Sequence, residues 1–117
     1  MKGFGTYIRA KRERLYKDRK DFSVRKVAIK ISVEPAYLSK VEREIVSPPS
    51  EGKIIALAEV LGEDKDVLLA LAGKVSSDLL KVIKDRPVLF AELIRKLKSE
   101  PDHAVLRIVR EVKDGEW

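Results

Sequence analysis

The sequence predicts an all-α protein, with five short helices over residues 1–73 and a short helical extension over residues 74–117. Three observations carry that expectation. Between successive breaks, apolar residues recur three and four positions apart, the period of a helix with one buried face. Start and stop residues punctuate the chain at short intervals: Ser23, Pro35, Ser50, Gly62, Asp64, Pro87 and Pro101. Hydrophobic residues make up 44% of the chain but aromatics only 6%, which suits small aliphatic-packed helices better than a sheet.

Residues 4–15, FGTYIRAKRERL, form the first expected helix. Phe4, Ile8 and Leu15 can share its inner face, with Ala10 or Lys11 beside them, while Arg9, Lys11, Arg12 and Arg14 crowd the polar side. The next stretch, Tyr16–Phe22, is expected to be a basic loop that returns Phe22 to the core as a hydrophobic staple. Ser23 then caps a helix from Val24 to about Ile31, with Val27, Ala28 and Ile31 inward. Ser32-Val33-Glu34 breaks that pattern. Pro35 opens the third helix, because its missing N–H costs nothing in the first turn. Leu38 and Val41 face inward, and Pro35, Ala36, Ser39, Lys40 and Arg43 are left outside. The two prolines of Glu44–Ser50 force an extended path. Ser50 can cap a fourth helix with Ile54, Ile55, Leu57, Ala58 and Leu61 as its stripe, closed by Gly62. Asp64 caps the fifth, which carries Val67, Leu68 and Leu71 and ends near Gly73.

Three further helices follow. Ser76 or Ser77 starts one with Leu79, Leu80 and Ile83. Pro87 opens one with Leu89, Phe90, Leu93, Ile94 and Leu97, and Pro101 opens the last, with Val105, Ile108 or Val109, and Val112. Three short amphipathic helices cannot bury such faces alone. They can pack on the preceding bundle or on a second chain, and the second is favoured.

Helices two and three, joined by a tight turn, make a helix-turn-helix, whose second helix can enter the DNA major groove. The residues around it resemble the Cro/CI-type, or XRE, helix-turn-helix family. The resemblance is carried by Ser23, Val27-Ala28, Ile31, Val33, Tyr37-Leu38-Ser39-Lys40 and Val41-Glu42-Arg43. It continues through Ser47-Pro48-Pro49-Ser50, Ala56-Leu57-Ala58 and Val60-Leu61-Gly62, and covers about residues 4–73. It implies a five-helix lambda-repressor-like bundle and a transcriptional regulator, most often a dimeric repressor of its own or a neighbouring operon. It also implies an ion pair between Arg12 and Glu42. Three positions depart from the family pattern: the long gap at Tyr16–Phe22, Ser32 where the turn often holds glycine, and Glu44 in place of a glycine after Arg43.

Charge is distributed to match. The net charge is +6. Residues 1–50 carry 13 Lys and Arg against 6 Asp and Glu, and residues 51–117 carry 12 against 13. The whole basic excess therefore lies in the half with the helix-turn-helix, as phosphate attraction requires. On the resemblance, Glu34, Pro35, Ala36, Ser39 and Lys40 face the base edges. Pro35 and Ala36 suit thymine methyls, Lys40 can donate to guanine O6 or N7, and Ser39 is permissive. Glu34 can accept from cytosine N4 or act only as a poor cap. Arg25, Lys26 and Arg43 are placed for phosphates. Tyr37 has two readings, a phosphate contact or a shield for the core. So have Lys17, Arg19 and Lys20, which either reach a phosphate or the minor groove or belong to a mobile solvated loop.

Other function classes find little support. There is no cysteine, so neither a disulfide framework nor a thiolate metal site is available. His103 is the one histidine and reads as a surface residue, so no metal-ligand cluster stands out. The six glycines are scattered and form no phosphate loop. Glu63-Asp64 sits at a helix start, where capping and the dipole explain it. The expectation is a non-enzyme without a cofactor or membrane span, in the cytoplasm, bound as a homodimer to double-stranded DNA with two half-sites. Leu89, Phe90, Leu93, Ile94, Leu97, Val105, Val109 and Val112 are its expected dimerisation residues. The alternative is an antitoxin-like protein whose C-terminal helices bind a toxin or regulatory peptidase, with autoregulation through the helix-turn-helix.

Overall fold

In a computed structural model that describes residues 3–117, the described residues form eight α-helices and one 3-10 turn, with no strand. They fall into two compact units that divide between Ser76 and Ser77. The first holds α1 (Phe4–Asp18), the 3-10 turn (Lys20–Phe22), α2 (Val24–Lys30), α3 (Pro35–Glu42), α4 (Glu51–Leu61) and α5 (Lys65–Leu71). The second holds α6 (Ser77–Asp85), α7 (Pro87–Leu97) and α8 (Asp102–Asp114). None of these helices is long and apolar enough to cross a membrane.

One buried cluster organises the first unit. Phe4 and Ile8 of α1, Val27 and Ala28 of α2, and Leu38 and Val41 of α3 meet Ile54, Leu57, Ala58 and Leu61 of α4 and Leu68 and Leu69 of α5. Phe22 and Ile31 complete it. In α5 the stripe is rotated from the expected one, because Leu69 is buried while Val67 stays exposed and Leu71 is half-buried. Burial favours the adjacent pair Leu68-Leu69 since α5 is only two turns long and packs mainly on α4.

The expected loop at Tyr16–Phe22 is corrected. Helix α1 runs three residues further than its apolar pattern, the Arg19 N–H donates to Leu15 O at 2.9 Å, and Lys20–Phe22 wind into the 3-10 turn. Lys17 therefore lies on a helix. The stretch contains no glycine or proline to stop α1, and Lys20 stacks over the Tyr16 ring one turn back, 4.4 Å from its centroid.

Helices α2 to α5 all end in the same way. A residue with positive φ follows, and the N–H after it donates five residues back: Val33 to Ala28, Ile45 to Lys40, Glu63 to Ala58 and Lys74 to Leu69, at 2.8–2.9 Å. Gly62 and Gly73 occupy that position in the last two. In the first two it is held by Ser32 (φ 59°) and Glu44 (φ 60°), which keep the backbone path at a cost of about 1 kcal/mol each. Ser23 and Asp64 cap with their side chains, as expected from their types, but Ser50 stands at the start of α4 without a side-chain capping bond.

Gly5 holds α1 against the end of α3. A Cβ there would overlap the Val41 carbonyl oxygen, a backbone atom that cannot step aside. Gly5→Ala is expected to destabilise the first unit by about 1–2 kcal/mol, read as a lower urea midpoint.

Candidate nucleic-acid interface

The pair α2–α3 is braced from behind by Arg12 in α1. Its Nε donates to Glu42 Oε2 at 2.6 Å and its Nη2 to Glu42 Oε1 at 2.9 Å, a two-pronged pair with the last residue of α3. Its Nη1 donates to Phe22 O at 3.2 Å. One guanidinium thus ties α1, the 3-10 turn and α3 together. Arg12 is 7% and Glu42 5% exposed, so solvent barely screens the pair. The hydrogen bond to Glu42 raises the Arg12 guanidinium above its ordinary range, against the opposing effect of burial.

The turn is held from a second side. Lys53 of α4 reaches across and donates from Nζ to Ile31 O at 3.0 Å and Ser32 O at 3.3 Å. A cation on the two carbonyls just past the end of α2 suits the negative end of that helix. Sequence reasoning missed this residue. A lysine four residues before Leu57, on the edge of an otherwise apolar stripe, was the available signal. Lys53→Met keeps the length and removes the donors. It is expected to cost about 1–2 kcal/mol in urea unfolding, since both carbonyls regain only water.

The outer side of the motif is where most of the sequence-predicted residues fall. Glu34 is exposed at the N-cap of α3 and makes no side-chain capping bond. Ala36 and Lys40 are exposed, whereas Pro35 and Ser39 are half-buried. Tyr37 packs against the core cluster. Arg43 is exposed and folds back, its Nε donating to Ser39 O at 3.3 Å. Arg25 and Lys26 are exposed in the first turn of α2, just after the Ser23 cap, whose Oγ accepts from the Lys26 N–H at 3.2 Å. Among the described residues, Arg25, Lys26 and Lys40 have no ion-pair partner. Their charge faces solvent unspent.

The basic cluster beside α1 is different. Arg19 and Lys30 lie over the Phe22 ring, each 4.6 Å from its centroid. Both also bind Asp21 Oδ2, Lys30 at 2.9 Å and Arg19 at 3.2 Å. The hydrogen bond from Lys30 holds the Asp21 carboxyl below the usual carboxylate range. Asp21 therefore already neutralises part of this cluster, which the residue types alone did not reveal. Lys17 is exposed and has no ion-pair partner among the described residues.

Elsewhere, Glu63 has a structural task. It accepts from the Tyr7 hydroxyl at 3.2 Å and sits 3.7 Å from Lys11, while the neighbouring Asp64 caps α5. His103 is exposed. Among the described residues, no group of three or more His, Cys, Asp or Glu is placed to hold a metal ion. Compared with protein-family models, curated proteins and solved structures, the chain matches none.

Proposed function

We propose that this chain is a sequence-specific double-stranded-DNA-binding transcriptional regulator of the Cro/CI type, with α1 to α5 in the lambda-repressor-like arrangement and α3 as the recognition helix. One observation supports the reading above the rest. The helix that Pro35 opens presents Ala36 and Lys40 to solvent, while Arg12 and Lys53 brace the motif from within. A side chain that reads a base must be unspent and stand on a rigidly held element, and Lys40 is unspent on a braced helix. Arg25 and Lys26 add unspent cations at the start of α2, suited to the phosphates that set register.

The mode of action is occupancy. Two copies would place two α3 helices in successive major grooves, about 34 Å apart on one face of the duplex, and so cover promoter DNA. Repression of its own or a neighbouring operon is what the family resemblance implies, with occupancy as its means. A second reading, the antitoxin-like partner, draws on the exposed apolar residues of α6 to α8, which would then cover a toxin or peptidase.

The test is fluorescence anisotropy with duplexes tiling the gene's own upstream region, against scrambled DNA, at two salt concentrations. The expected result is tight binding to one tile, preferred at both salts. Weak binding to every tile that collapses together with salt would reduce the reading to phosphate attraction.

A further inference from the structure

Asp21 stands where two cations converge. Arg19 Nη2 and Lys30 Nζ both reach the same carboxylate oxygen, Oδ2, at 3.2 and 2.9 Å. Both cations also rest on the Phe22 ring, which is 4% exposed and anchored in the core cluster. That ring attracts the two cations whether or not the carboxylate is present. The result is a seat for an oxyanion: a guanidinium and an ammonium aimed at one point, on a fixed ring. It is open to water, since the side chains of Arg19, Lys30 and Asp21 are 61%, 36% and 44% exposed.

The surroundings point to the anion. Residues 17–30 carry six Lys and Arg against two carboxylates, Asp18 and Asp21. Lys30 lies one turn after Lys26 on α2, so the two share a side of that helix. The seat therefore extends the cations at the start of α2 that suit backbone phosphates, and Asp21 interrupts them. Exposure decides whether that interruption can open. An exposed ion pair adds little to stability, because water solvates both partners and salt screens them. A backbone phosphate presents the same pair of oxygens, and seating it releases condensed counterions from the duplex. The buried Arg12–Glu42 pair has no such exchange open to it, because parting it strands a charge in the core.

We propose that Asp21 holds, in the free protein, the place that a backbone phosphate takes in the DNA complex. On binding, the carboxylate turns out to solvent, and Arg19 and Lys30 close on the phosphate. Asp21 is thus a built-in competitor, which weakens adhesion to all DNA by the same factor without touching a base. This rests on the DNA-binding reading, but only on its phosphate half and not on base recognition.

The test is a mutant cycle by fluorescence anisotropy at low salt, on the tightest-binding upstream duplex and on its scrambled counterpart. Asp21→Asn keeps the shape of the side chain and removes its charge. It is expected to tighten binding to both duplexes about fivefold, the upper worth of an exposed ion pair. Asp18→Asn removes the same charge three residues away, from a carboxylate outside the seat, and should tighten binding by less than about twofold. In a chain carrying Arg19→Gln and Lys30→Gln, Asp21→Asn should change nothing, because the seat is gone. Every variant should keep the helical circular dichroism of the parent. Equal gains from Asp21→Asn and Asp18→Asn overturn the proposal, as does a gain that survives the loss of Arg19 and Lys30; either result would reduce Asp21 to a share of the net charge. A chain that binds neither duplex overturns it too. The expected cycle on both duplexes, with no preference between them, would leave the seat standing and remove the sequence-specific reading instead.

Discussion

Glu42→Ala should cost the first unit about 3–5 kcal/mol, a large share of the stability of an ordinary domain. The cost does not measure the worth of the ion pair. It arises because Arg12 stays behind, 7% exposed, with one remaining acceptor at Phe22 O. A guanidinium does not shed its proton to escape, since it stays charged at any pH at which the domain is folded. Nor can it reach water without dragging α1 off the core, because Ile8 is buried one turn before it on the same face. Urea unfolding of the variant gives the figure. The double variant Arg12→Met, Glu42→Leu separates the two explanations. Apolar replacements fill the space and remove the stranded charge, so most of the lost stability should return. If the double variant were as unstable as Glu42→Ala, the pair would matter as a geometric tie between α1 and α3 and not as a balanced charge.

That pair marks how far the sequence could be read. Periodicity located every helix of the first unit, because each buries one side and starts or stops at a residue with a physical reason. Ser23, Pro35, Gly62 and Asp64 do in the structure what their types predict. Boundaries set by long-range contacts were not legible. Helix α1 outruns its apolar stripe because Lys20 and Tyr16 stack on its last turns, and side-chain stacking leaves no trace in an apolar period. The same limit applies to the site. Types and positions pointed to the outer residues of α3. They could not show that Asp21 occupies Arg19 and Lys30, since that depends on where the 3-10 turn folds. Lys53 was hidden for the same reason, as its partners are backbone carbonyls more than twenty residues away.

Lys40→Ala is expected to relax base preference at one position of each half-site, by about 1–3 kcal/mol, and to leave the other positions unchanged. Lys26→Ala should behave differently. It should weaken all sequences alike and lower the salt slope of binding by about 0.9 for the phosphate contact removed. The contrast follows from their placement. Lys40 lies in the second turn of α3, where a side chain of a groove-bound helix reaches a base edge, while Lys26 lies in the first turn of α2. Both are exposed lysines without a partner in the described structure, so local environment cannot make the difference. Only the surface they meet can. The measurement is competition binding of each variant against a set of operators carrying every single-base change, at several salt concentrations. Two lysines that shift the whole set equally and change the salt slope equally would show a basic face without a reading head. The recognition role of α3 would then fall, although the fold and the Arg12–Glu42 brace would stand.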